Sequence, residues 1–192
     1  MRVITFDIET ANALPSFSRG DLSKLELALV GVHDSKTGEF SSYVKEELPK
    51  LWPLLEDADI LVGYNSDSFD IPLLNRHYPG DLSTIRSVDL MVEVQQVLGR
   101  RLKLQSLAEG TLGRGKSGHG LDSVEWWQQG LVDKVRQYCI EDVRLTRELY
   151  DYARTNGVLK YKDLRDIREV KIDASLWESA GSGSAMTHTL GL

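Results

Sequence analysis

The chain has a single cysteine, Cys139, only five prolines among 192 residues and 8% aromatics. No uninterrupted apolar run approaches the ~18 residues needed to span a bilayer. A lone cysteine excludes an internal disulfide, and the N-terminus lacks the basic stretch, apolar stretch and cleavage site of a secretory signal. These absences predict a soluble protein of a reducing, cytoplasmic compartment with no membrane partner. Positive charge is also in deficit: 23 Lys and Arg against 29 Asp and Glu leave a net charge of -6. That balance argues at first against a nucleic-acid binder, because affinity for phosphate normally comes from Lys and Arg. It does not exclude one, since acidic side chains gathered around divalent cations present a locally positive field to phosphate.

What is present suffices for one core. Apolar residues make up 41% of the chain, and its length suits one domain, residues 1–160, with a looser extension over 161–192. RVITFDI at 2–8 predicts an opening strand, with further strands over 25–32 and 39–44 joined by the turn DSKTG. A helix is predicted over 46–57, with Leu48, Leu51, Trp52 and Leu55 on one face and Pro49 in its first turn. The buried strand DILVG at 59–63 leads to a short helix, capped by Asp67 or Ser68, that carries Asp70 near its start. A strand over 84–88 precedes a helix over 90–98 stopped by Gly99. Further helices are predicted over 102–109, 123–129 and 131–155, the last ending at Asn156-Gly157, with a Gly-rich loop over 113–120. Residues 169–172 suit an edge strand and 179–192 a flexible tail. Three strands in a meander followed by alternating strands and helices predict an α/β domain with a mixed sheet flanked by helices.

Three groups of residues suggest chemistry. Asp7 and Glu9 sit two apart on the first strand, so both carboxylates project to one face while Phe6 and Ile8 face the other way. Like charges that close need a proton or cation between them, and oxygen-only ligands suit Mg²⁺ or Mn²⁺ rather than Zn²⁺. Asp70 lies just after a buried strand, where sites in α/β sheets are built, although it also suits a helix N-terminus and Phe69 beside it suits the core. Tyr138 and Asp142 are four apart on the long helix and share a face with the apolar Val135, Cys139 and Val143. A structural hydrogen bond between them is the plain alternative to catalysis.

In this order the segments FDIET, YNSDSFDIPLL and YCIEDVRLTRELY resemble the three motifs of the DEDDy family of 3′→5′ exonucleases, an RNase H-like family. The closest likeness is to the proofreading type associated with family-B DNA polymerases. The resemblance runs from about Met1 to Tyr152. It implies an RNase H-like fold and a two-metal-ion hydrolysis of phosphodiester bonds at the 3′ end of single-stranded DNA or RNA. Asp7, Glu9 and Asp142 would hold the metal that activates water, Asp7 would bridge to a second metal supported by Asp70, and Tyr138 would hold the attacking water. Thr10, Asn65 and Phe69 would contact the terminal nucleotides. The histidine subtype is excluded, because the position five before the last aspartate is Gln137. The chain shows no polymerase domain, which leaves a stand-alone repair or RNA-processing role. The rival reading is a catalytically silent nucleic-acid-binding domain of the same fold.

Weaker signals remain. GTLGRGKS at 110–117 fits the P-loop pattern, yet the segment before it reads as helix where a P-loop needs a strand. Its Arg114, Lys116 and His119, and separately Arg100, Arg101 and Lys103, read either as solvated loop or as contacts to a nucleic-acid backbone. Of Trp126 and Trp127 at least one belongs in the core. His33, His77, His119 and His188 show no metal-ligand spacing.

Overall fold

The computed structural model describes residues 1–14, 21–115 and 120–179. Lys116, Ser117 and His119 of the Gly-rich loop, and the tail from 180 onward with His188, lie outside the described residues. The β-branched run VITFDIET forms β1 (Val3–Thr10), the middle strand of a five-stranded sheet. β2 (Leu27–Asp34) lies antiparallel to β1, and β3 (Phe40–Val44) antiparallel to β2. On the other side β4 (Ile60–Gly63) lies parallel to β1, and β5 (Ser87–Asp89) parallel to β4. The strand order is β3-β2-β1-β4-β5, the mixed α/β sheet that the sequence predicts.

Both faces of the sheet are covered, and the alternation along β1 divides its side chains between two cores. Ile4, Phe6 and Ile8 join Leu51, Leu55, Leu73 and Leu74 beneath α1 (Leu48–Glu56) and α2 (Asp70–Asn75). Burying each of those three contributes roughly 1.5–3 kcal/mol relative to exposure. Val3 faces the other way and packs with Val62, Val88, Leu145 and Leu149, a core shared with α3 (Leu90–Leu98), α4 (Leu104–Leu112) and α6 (Val132–Asn156). The remaining helix, α5 (Gly120–Gln128), packs on α6 and β1. Both α3 and α6 stop at a glycine in the left-handed region, Gly99 at φ 70° and Gly157 at φ 65°, as their sequences predict.

The approach of α6 to the sheet depends on Gly31, which pairs with Asp7 across β1 and β2. A Cβ there would stand 2.8 Å from Cys139 Sγ and 3.2 Å from a Val143 methyl. Only a residue without a side chain lets the helix lie this close beside Asp7.

Three expectations are corrected. α2 is not capped by Asp67 or Ser68: the Ser68 hydroxyl donates to Asn65 Oδ1 at 2.8 Å, Asp67 accepts from the Ser87 hydroxyl at 2.7 Å, and the cap residue is Phe69. α4 runs on through Gly110 and Thr111, because Gly110 is what lets the helix lie against the backbone of Tyr161. The end of the chain holds a hairpin of β6 (Val158–Asp163) and β7 (Asp166–Lys171) rather than one edge strand. Its outer edge is satisfied by α4: Ser106 donates its hydroxyl to Lys162 O, and Thr111 both donates to Lys160 O and accepts from Lys160 N–H, all at 2.7–2.8 Å. The hairpin straddles residue 160, where the sequence reading divides the chain. Beyond it Trp177 is buried and stacks on Tyr150 with centroids 5.1 Å apart, and Glu178 pairs with Arg154, so the chain is docked on α6 as far as Glu178.

Candidate active site

The odd-numbered side chains in the second half of β1 face α6, which brings Asp7 and Glu9 beneath the middle of that helix. Cys139 Sγ lies 3.4 Å from the Asp7 carbonyl oxygen and 3.5 Å from Asp7 Oδ2. Ligand atoms of Asp7, Glu9 and Cys139 fall within 4.8 Å of one another. From α5, the fully buried Ser123 donates its hydroxyl to Glu9 Oε2 at 2.5 Å.

Asp70 arrives from the opposite side of β1. It opens α2, is 4% exposed, and its Oδ1 accepts the Ile8 N–H at 3.1 Å, the peptide between Asp7 and Glu9. Tyr138 and Asp142 flank Cys139 on α6, and both are buried. Trp126 of α5 meets the Tyr138 ring edge-on at 5.7 Å, while Lys134 lies 4.0 Å over the Trp126 ring. Three helices, α2, α5 and α6, therefore converge on the far half of β1.

The electrostatics follow from burial and crowding. Burial, then repulsion from Asp89 and Glu9, pushes Asp70 well above the ordinary carboxylate range, although the Ile8 N–H opposes the shift. Asp89 is also raised by burial, against the backbone N–H groups of Asp67 and Asn65 that it accepts at 3.1 and 2.8 Å. It caps α3 as well, through Met91 N–H at 2.9 Å. Burial together with Asp7, Glu9 and Asp142 pushes the Cys139 thiol up, and its S–H donates weakly to Asp7. A site of carboxylate oxygens whose charges oppose one another fits a divalent cation.

The residues expected to contact substrate are engaged in local structure. Thr10 follows a register shift in β1 and donates its hydroxyl to Asn12 O at 2.8 Å. Asn65 adopts φ 65°, held there by Asp89 and Ser68. Phe69 is half-buried against the core beneath α2.

Sequence reasoning missed Asp89, Ser123 and the position of Cys139. Asp89 had a readable signal as an acidic residue immediately before an apolar helical run. Ser123 had none, since its partner lies 114 residues away. Among the weak signals, α4 occupies the place where a P-loop requires a strand. Arg114 is committed to α6, pairing with Glu141 at 3.0 Å and with Glu148. Both tryptophans pack on the cluster of Leu29, Val135 and Cys139.

A family model of the RNase H superfamily matches residues 4–154. The chain belongs to the RNase H superfamily. Membership supports a nuclease that uses divalent metal and acts on nucleic acid. Among curated proteins, a DNA polymerase of Thermococcus aggregans is 24% identical in an alignment 195 positions long that covers 78% of this chain. The family B DNA polymerase of the hyperthermophilic archaeon Pyrobaculum calidifontis shares the fold, with a TM-score of 0.61 at 21% identity over 79% of this chain. This RNase H-like chain spans 10% of the first polymerase and 24% of the second. The second is of the family B kind that the three sequence motifs resemble.

Proposed function

We propose that this RNase H-like chain is a metal-dependent 3′→5′ exonuclease that hydrolyses phosphodiester bonds at the 3′ end of single-stranded DNA or RNA. The observation that carries the reading is the convergence on β1: Asp7 and Glu9 meet α6 above the strand while Asp70 holds the peptide between them from the other side.

Asp7, Glu9 and Asp142 would hold one divalent cation, and Asp7 with Asp70 a second. Two Mg²⁺ or Mn²⁺ ions bound there would stabilise the negative charge that builds on the attacking and departing oxygens. The chain's own groups do the rest. Ser123 fixes the rotamer of Glu9 from behind, and the Ile8 N–H fixes that of Asp70. Tyr138, its ring held edge-on by Trp126, would orient the attacking water through its hydroxyl. Asn65 and Phe69 would meet the terminal nucleotide from the loop before α2, with the exposed part of Phe69 offering a sequence-tolerant surface worth about 1–3 kcal/mol per base. Thr10 would contact the 3′ end through its backbone. A role in DNA repair or RNA processing accords with this chemistry.

The test is degradation of 5′-labelled single-stranded DNA and RNA with Mg²⁺, Mn²⁺ or EDTA. The expected result is a metal-dependent ladder shortening from the 3′ end, slowed about 10³-fold in Asp7→Ala. Intact strands under every metal, with binding retained, would overturn the enzyme and leave a nucleic-acid-binding domain.

A further inference from the structure

Positive charge is scarce in this chain, yet it collects in one place. Residues 100–103 carry Arg100, Arg101 and Lys103 with no acid, and residues 158–171 carry five Lys or Arg against three Asp or Glu. The first stretch is the connection from α3 to α4, and the second is the β6–β7 hairpin. They are neighbours in space. Arg100 reaches Asp163 at 3.7 Å and lies 5.5 Å over the Tyr161 ring, and Lys103 and Lys162 together line a hollow of about 220 Å³ with Gln105, Ser106, Leu164 and the acidic Glu109. That volume is several times the roughly 30 Å³ a water occupies in the liquid.

The tip of the hairpin is built against the interests of stability. Leu164 is 91% exposed and sits at φ 57°, a left-handed position that glycine or asparagine fills without strain. Ile167 beside it is 53% exposed. The basic side chains Lys103, Lys162, Arg165 and Arg168 near them are exposed, as is Arg101, whose guanidinium donates to Gln95 Oε1 at 3.2 Å. Several acids offset part of this charge: Lys162 pairs with Glu109 at 3.0 Å and Arg168 with Asp163 at 3.3 Å.

The patch also adjoins the candidate active site. Tyr64, at the end of β4, donates its hydroxyl to Leu102 O at 2.8 Å, which ties the basic connection to the residue that precedes Asn65. The loop from Asn65 leads directly to Asp70.

We propose that the hairpin tip and the α3–α4 connection form a binding surface for the sugar-phosphate backbone of a single strand, with Leu164 as an apolar contact for a base. The proposal rests on the nuclease reading for the direction of the strand, whose 3′ end would lie at Asp7 and whose upstream phosphates would cross this patch. Basic side chains around an exposed aliphatic tip match an anionic polymer with apolar base faces.

Binding of a 5′-fluorescent single-stranded oligonucleotide to the full chain carrying Asp7→Ala, measured by anisotropy over a range of salt, tests this without turnover. Adding Arg101→Glu, Lys103→Glu and Arg165→Glu is expected to weaken binding at least tenfold. It should also flatten the slope of log affinity against log salt by about 2, at roughly 0.7 per phosphate contact on a single strand. Leu164→Gly relieves the left-handed strain, so weaker binding at equal or higher thermal stability would separate a binding role from a structural one. Unchanged affinity and slope in the charge-reversed chain would overturn the surface. Absence of cleavage by wild type, with the salt slope still dependent on these residues, would remove the nuclease reading and keep the surface.

Discussion

The two ends of β1 handle buried carboxylates in opposite ways. At its start, Asp34 is 5% exposed and accepts two hydrogen bonds from the Arg2 guanidinium, at 2.8 and 3.1 Å. Arg2 holds its carboxyl below the ordinary range. At the far end, Asp70 is as deeply buried, but the charges around it are Asp89 and Glu9, and its carboxyl is pushed up. One end is closed by charge compensation. The other concentrates charge of one sign and is held together by packing and hydrogen bonds, as a site built to receive a cation requires.

Breaking the compensated end gives the largest expected loss of stability. Arg2→Met leaves Asp34 buried without its cation and should cost about 3 kcal/mol at pH 7, measured by urea unfolding. Since the folded-state pKa of Asp34 is depressed, the wild-type advantage is present above about pH 4 and lost as pH falls through that folded value. Equal stabilities at pH 7 would mean that the Arg2 contacts contribute nothing. At the other end the vulnerable element is packing. Gly31→Ala would drive a Cβ into Cys139 Sγ and lift α6 from the strand position beside Asp7, at a cost of about 1–3 kcal/mol with a parallel loss of cleavage. Adding Cys139→Ala removes the nearer clash and should restore part of both.

Much of this was legible in the sequence, and the exceptions share a cause. The alternation VITFDIET assigned Phe6 and Ile8 to one core and Asp7 and Glu9 to the opposite face, because a strand's period of two is a local property. The stops at Gly99 and Gly157 were equally local. β6 was not legible: VLKYKD follows a helix of 25 residues after one glycine, and it becomes a strand because the hydroxyls of Ser106 and Thr111 satisfy its outer edge. The support behind the site was hidden for the same reason. Ser123 lies beside Glu9, and Gly31 admits α6, only once distant segments have been assembled.

Ser123 sharpens the comparison further, since a hydroxyl does for Glu9 part of what a guanidinium does for Asp34. Ser123→Ala should weaken Mn²⁺ binding by about tenfold in calorimetric titration while costing only about 1 kcal/mol in the unfolding transition. A large loss of stability with metal affinity intact would make Ser123 a core residue with no bearing on the site.

The smallest expected effect carries the opposite sign. Asp70→Asn removes a charge but keeps an oxygen to accept the Ile8 N–H. Because the folded-state pKa of Asp70 is raised, its ionisation destabilises the fold as pH climbs above the unfolded value near 3.8. In EDTA the variant should therefore be more stable than wild type at pH 7 and equal to it near pH 3. Adding Mg²⁺ should reverse the order, since only wild type gains the full linkage to a bound ion. A variant less stable than wild type at pH 7 in EDTA would show that Asp70 contributes to the fold as Asp34 does. The two ends of β1 would then obey the same rule.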